Sequence, residues 1–200
     1  MTGPVGRRRP AAGQPPVPDA PPLDFPALWS RAEPWPGYLR PGMKNAELWR
    51  GVYEHVEVPG WALEGFGASP ARKVLVLAAD WCGDASNTVP VLAKLAEQVP
   101  GMELRVLERD EFLEVMDRYL TNGTRSIPIA IALDVELREL GHWGPRPSAL
   151  QTWMVANKAM KPSPERYAYA RKWYARDKGE TTLREVLEAV RTPTRSPSKT

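Results

Sequence analysis

One side chain in the chain can act as a thiol nucleophile, and it lies in the stretch Trp81-Cys82-Gly83-Asp84-Ala85. The apolar run Val74-Leu75-Val76-Leu77-Ala78-Ala79 before it predicts a fully buried strand. After it, Val89, Val91-Leu92 and Leu95-Ala96 recur at helical spacing and predict a helix over residues 84–98. Cys82 therefore falls where a strand hands over to a helix N-terminus. Unpaired backbone N–H groups and the helix dipole stabilise a thiolate there by about 0.3–1 kcal/mol. Asp80 and Asp84 flank the cysteine and act in the opposite direction. A carboxylate ~6 Å away raises the energy of a thiolate by about 0.7 kcal/mol at the dielectric of water, and by a few times more nearer an effective value of about 20. The two effects are of similar size, so the residue types leave the direction of the net shift open. They also leave open whether Cys82 is an exposed nucleophile or a small buried hydrophobe, the commoner fate of a lone cysteine.

These residues resemble the active-site motif of the thioredoxin family, W-C-G-x-C, with Ala85 in place of its last cysteine. Pro90, eight residues after Cys82, falls where that family has a kinking proline in its active-site helix. Asn122-Gly123-Thr124-Arg125-Ser126-Ile127-Pro128-Ile129 resembles the segment that carries the family's cis-proline. The resemblance is specific over about residues 73–144 and weaker over 45–73 and toward residue 191. It implies an α/β architecture, the thioredoxin fold, with a central mixed β-sheet flanked by helices and with helical N-terminal and C-terminal extensions. It also implies a cis Ile127–Pro128 bond beside the thiol. The implied site has Cys82 as the catalytic residue, and Trp81, Gly83, Asp84, Ile127 and Pro128 as the surface that receives a substrate.

The departures from the motif matter chemically. A dithiol reductase uses its first thiol to form a mixed disulfide, and a second thiol, three residues on, to release the product. The chain has one cysteine, so that release cannot happen within it. The resemblance also implies a buried acid six residues before the cysteine, where it assists proton transfer; Val76 stands there instead.

The elements around the motif follow from patterning. Residues 1–22 are rich in Pro, Gly and Ala and predict a disordered tail; residues 192–200 predict another. Between them, residues 23–191 form one thioredoxin-like domain with its extensions. Asp24 caps one or two helical turns with Pro26 just inside, and residues 34–38 break them. Asn45 reads as an N-cap of a helix over residues 45–57, with Leu48, Trp49, Val52, Tyr53 and Val56 as its apolar stripe. Residues 59–70 read as a loop anchored by Trp61 and Phe66. Met102, Leu104 and Val106 predict a strand, parallel to the first because a βαβ crossover joins them. Asp110 caps a helix with Phe112-Leu113, Met116 and Leu120 buried, and Asn122-Gly123 ends it. Residues 127–133 and 136–143 read as an antiparallel hairpin. Ser148 with Gln151, and Thr182 with Glu185, read as capping boxes of two later helices, with a third beginning at Ser163-Pro164 between them.

Composition narrows the function classes. A formal charge of +3 does not by itself point to nucleic acid. The mixed segment Tyr167, Tyr169, Arg171, Lys172, Trp173, Tyr174, Arg176, Lys178 is interrupted by Glu165, Asp177 and Glu180. It reads as a packed amphipathic helix with a solvated basic face rather than a nucleic-acid surface. His55 and His142 have no neighbours that would make them metal ligands. No apolar run is long enough to span a bilayer, no secretory leader is evident behind Arg7-Arg8-Arg9, and a single cysteine suits a reducing, cytoplasmic setting. Two functions are expected first, and nucleic-acid association through the C-terminal basic helix comes after them. One is a monothiol protein whose Cys82 forms mixed disulfides with protein or small-molecule thiols and disulfides, an external low-molecular-weight thiol serving as co-substrate and no cofactor being needed. The other is a redox-inactive binding module that uses the same groove. Oligomeric state is not encoded in any pattern found.

Overall fold

The computed structural model describes residues 21–191. Apart from residues 21 and 22, the expected disordered tails lie outside the described residues. The sheet has five strands in the order β1-β3-β2-β4-β5. β2 (Lys73–Ala78) runs through its centre, and Val74 to Ala78 are all buried, as a strand covered on both faces requires. β3 (Glu103–Glu108) pairs parallel to it in the register Val76 to Val106. On the other side β4 (Ile129–Leu133) pairs antiparallel, and β5 (Glu139–Trp143) completes the expected hairpin.

The crossover between β2 and β3 is α5 (Gly83–Gln98), which begins one residue after the cysteine. It packs on β2 and β3 and touches α3 (Ala46–His55), α4 (Gly60–Gly67) and α9 (Glu180–Arg191). Pro90 sits inside it and is buried. Lacking an N–H, Pro90 cannot complete the helical bond to the carbonyl of Ser86. At the N-terminal side, α1 (Phe25–Arg31) is capped as expected, with Asp24 Oδ1 accepting from the Ala27 N–H at 3.0 Å.

Several elements differ from the sequence reading. Residues 59–70, expected as a loop, contain α4; Ala62 and Phe66 face inward, four residues apart on one side of it. Residues 34–38, expected only to break a helix, contribute Pro34 to the edge strand β1 (Glu33–Pro34), antiparallel to β3, and form the single turn α2 (Trp35–Tyr38). Pro34 is tolerated because an edge strand has one unpaired side. The helix expected behind Asp110 is split into a 3₁₀ turn at Arg109–Glu111 and the single turn α6 (Leu113–Met116); Leu113 is exposed, and Val115 and Tyr119 are buried in its place. Neither capping box forms. The helix α7 (Ser148–Ala156) starts after Pro147, and Ser148 instead donates to Glu185 of α9 while Gln151 accepts from Arg146. Thr182 is buried inside α9, which begins three residues earlier than the box implied.

After α7 comes α8 (Ser163–Asp177). Leu150, Met154, Ala170 and Tyr174 bury themselves between these two helices as a small core separate from the main one. Trp153 and Tyr169 stack beside it with ring centroids 3.7 Å apart. This helical pair is the piece of the C-terminal extension that reaches the cysteine.

Candidate functional site

The chain leaves β2 at Ala78 and turns sharply, the Cys82 N–H bonding the Ala79 carbonyl at 3.0 Å. Cys82 then occupies the N-cap position of α5 with extended backbone. Its sulfur accepts from the Ala85 N–H at 3.5 Å, using one of the donors a helix N-terminus leaves free. Its thiol donates to the Ile127 carbonyl, also at 3.5 Å. The Ile127–Pro128 and Gly144–Pro145 peptide bonds are cis. Gly144 lies against the first of these: a side chain there would collide with the Pro128 carbonyl, so the two segments approach as closely as a glycine permits.

Cys82 is 7% exposed. Burial pushes its thiol above the ordinary cysteine value. The Ala85 N–H opposes that rise, the Asp84 charge adds to it, and the Arg146 guanidinium again opposes it. The question left open by the sequence thus resolves toward the neutral thiol, and the deciding influence is desolvation, which neither the dipole nor the flanking acids represent. Asp80, expected to act on the thiol, is engaged elsewhere. Its carboxylate accepts the Lys44 N–H at 2.8 Å, and its carbonyl accepts from Asn45 Nδ2 and Trp49 Nε1, each at 3.1 Å. Asn45 is therefore at the start of α3 but does not cap it with its side chain; it holds the loop before the cysteine.

The other expected site residues are gathered here with different roles. Trp81 is 44% exposed, with the Arg109 guanidinium over its ring at 4.9 Å. Gly83 is open to solvent on the side where a Cβ would sit. Ile127 and Pro128 are buried, and the Ile127 carbonyl is occupied by the thiol. Asp84 lines the site but is only 5% exposed. Its Oδ2 lies 2.6 Å from an Arg146 guanidinium nitrogen, and its Oδ1 accepts from the Tyr174 hydroxyl at 2.9 Å. Both oxygens are thus committed, and Asp84 joins three segments of chain rather than facing a ligand freely.

Val76 is fully buried at the position of the acid that the resemblance implies. Among the described residues no cluster of His, Cys, Asp and Glu could hold a metal ion.

Trp81, Cys82, Gly83 and Asp84 open onto a cleft of about 610 Å³. Its further lining includes Arg125, Arg146 and, from α8, Tyr167, Arg171 and Tyr174. Sequence reasoning missed these. Arg146 sits in Gly144-Pro145-Arg146-Pro147, which reads as a connector, and Tyr174 sits in a segment whose basic residues draw attention away from it. The only local signal is that Pro147 restricts the Arg146 backbone to extended conformations, which does not by itself point to a buried partner.

Together, the parallel β2–α5–β3 unit, the β4–β5 hairpin, and a cysteine at the N-terminus of α5 beside a cis-proline describe a thioredoxin-type architecture. The thioredoxin family model matches residues 33–161, well over half the chain, and the protein belongs to that family. No curated protein matches it. Two solved structures share its fold. One is a Pseudomonas aeruginosa protein of unknown function, 19% identical with a TM-score of 0.61; the match covers 84% of this chain and 98% of that one. The other is an HIV epitope scaffold, 18% identical with a TM-score of 0.62 and the same coverages. At these identities the likeness is one of fold alone.

Proposed function

We propose that this is a monothiol thioredoxin-like protein of a reducing, cytoplasmic setting, in which Cys82 exchanges with thiols and disulfides. The observation that supports this best is the position of one sulfur: at the N-terminus of α5, against the Ile127 carbonyl, on a cleft wide enough for a substrate. In the first step Cys82 loses its proton to solvent and the thiolate attacks one sulfur of a disulfide. The substrate S–S bond breaks as the new bond forms, and the leaving thiolate takes a proton from water. In the second step the thiolate of an external thiol attacks the mixed disulfide and returns Cys82. Fully buried Ala85 occupies the place from which an internal thiol would act, so the second step depends on the external thiol's concentration. Trp81 and Gly83 form the exposed part of the receiving surface.

A second reading, a binding module without bond exchange, is favoured by the burial of Cys82 and its raised thiol. Native-state alkylation separates the two. Iodoacetamide labelling followed by intact mass, from neutral to alkaline pH, should modify the folded protein and leave Cys82→Ser unmodified. Labelling only after addition of denaturant would sink the exchange reading and favour the module.

A further inference from the structure

The charges around the cleft are unequal. Arg125, Arg146 and Arg171 line it, and Asp84 is the one acid among its lining residues. Asp84 is already matched to Arg146. Arg125 is held by Asp117 through two bonds, of 2.7 and 2.8 Å, at an exposed position where a competing anion can share it. Arg171 makes no ion pair or hydrogen bond among the described residues. Among the described residues the cleft therefore presents one positive charge, that of Arg171, without a paired acid. A guanidinium is suited to carboxylate, which it can grip with two parallel N–H groups.

The shape of the cleft restricts what carries that carboxylate. Pro164, Tyr167, Ala170, Arg171 and Tyr174 recur at spacings of three and four and so form one face of α8, and that face is a wall of the cleft. A volume of about 610 Å³ lies within the range of small-molecule sites, about 300–1,000 Å³. Cys82 and Arg171 line the same cleft.

We infer that the cleft is a site for a small carboxylate-bearing molecule, with the carboxylate on Arg171 and Arg125, and that the disulfide accepted by Cys82 is accordingly a small anionic one. This rests on the exchange reading for its second half only. The exchange is balanced as written above: the anionic disulfide gives one half to Cys82 and releases the other as a thiol, and the external thiol takes the bound half away.

Three symmetric disulfides of different charge test it: anionic dithiodipropionate, neutral dithiodiethanol and cationic cystamine. Mixed-disulfide formation at Cys82 is followed by intact mass in the folded protein, with the urea-unfolded protein as the reference for intrinsic reactivity. The anionic disulfide should react fastest and the cationic slowest relative to that reference, and added salt should compress the order. Arg171→Ala, a change at an exposed residue, should slow the anionic probe relative to the neutral one by roughly two- to fivefold, the scale of one exposed ion pair. Titration with thiodipropionate, in which a thioether replaces the disulfide, reads the anion site alone. It should bind the parent and Cys82→Ser alike, and Arg171→Ala more weakly. Suppose no disulfide reacts with folded protein but thiodipropionate binds and depends on Arg171. The anion site then stands and the exchange reading falls. Absence of thiodipropionate binding, or equal treatment of all three disulfides in the parent and Arg171→Ala, overturns the anion site.

Discussion

The Tyr174 hydroxyl donates to the Asp84 carboxylate at 2.9 Å, tying α8 to the second residue after the cysteine. Arg146 completes the arrangement from the loop after β5, so one buried carboxylate joins three distant segments. Such a pair costs desolvation to form, and losing one partner strands the other.

This arrangement predicts an order of stability losses. Tyr174→Phe removes one hydrogen bond to a charged group and should cost about 1.5–3 kcal/mol. Arg146→Ala leaves Asp84 buried without its cation and should cost more, toward the lower end of about 3–5 kcal/mol because the arginine side chain keeps some contact with water. The double change of Asp84 and Arg146 to alanine should cost less than the sum of the two single changes. Urea unfolding of the parent, Tyr174→Phe, Asp84→Ala, Arg146→Ala and the double variant checks this. Additivity would mean that the ion pair contributes nothing specific.

The same carboxylate acts on the thiol. Burial, with Asp84 adding to it, raises Cys82, so alkylation of the folded protein should be slower than that of a free cysteine at neutral pH and should still be climbing above the free value of about 8.5. Asp84→Asn removes the one nearby charge that raises the thiol and leaves Arg146, which lowers it. The alkylation profile of that variant should shift to lower pH. A shift to higher pH, in a variant shown to be folded, would contradict the electrostatic assignment.

The ability to read these features from the sequence was uneven, for reasons visible in particular residues. The buried run at Val74 to Ala78 and the apolar spacing of Val89, Leu92 and Leu95 are local patterns, and they located β2 and α5 within a residue or two. The helix α4 was hidden because its glycines, Gly60, Gly65 and Gly67, look like loop residues. A Cβ at Gly65 would lie 2.5 Å from a terminal methyl of Leu187 in α9, which would have to shift to admit it, a tertiary contact that no window of sequence contains. The capping boxes failed for a related reason. Glu185 matches the box pattern, but its carboxylate is drawn to Trp143 Nε1 at 2.7 Å and to the Ser148 N–H at 2.9 Å. At the site, the cysteine and its junction were legible. The partners Arg146 and Tyr174 were not, because they reach Asp84 only once β5 and α8 have been folded against α5.

A separate acid should govern stability near neutrality. Glu108, at the end of β3, is pushed up to about 7, by burial first and then by the charges of Asp80, Asp110 and Glu111. Its unfolded value is the ordinary one of about 4.3. The folded chain therefore holds this proton more tightly than the unfolded chain does. The stability linked to it is fully present below the unfolded value and is lost as pH rises through about 7. Urea midpoints should fall as pH climbs across that window, and Glu108→Gln should flatten the decline. An equal decline in the variant would assign the pH dependence to other groups.

Ala85→Cys should convert the site to a dithiol. Cys82 is extended at the N-cap of α5, and its sulfur is already folded back to 3.5 Å from the Ala85 N–H. A thiol placed at residue 85 starts from the same turn, three residues on, and a disulfide needs a Cα separation of roughly 4.4–6.8 Å. Ala85 is fully buried, so the added sulfur displaces packed neighbours, and overpacking of this kind costs about 1–3 kcal/mol, partly recovered when the bond closes. Mild oxidation should remove both free thiols from the folded variant, as counted by intact mass after alkylation. The reduced variant should then reduce insulin disulfides faster than the parent, because release no longer awaits an external thiol. It should remain slower than a complete thioredoxin, since Val76 supplies no proton acceptor beside the new sulfur. If the variant folds yet keeps two free thiols under oxidation, residues 82 and 85 do not share the geometry of a thioredoxin-type junction. Cys82 would then be a packing residue, and the exchange chemistry would have no site.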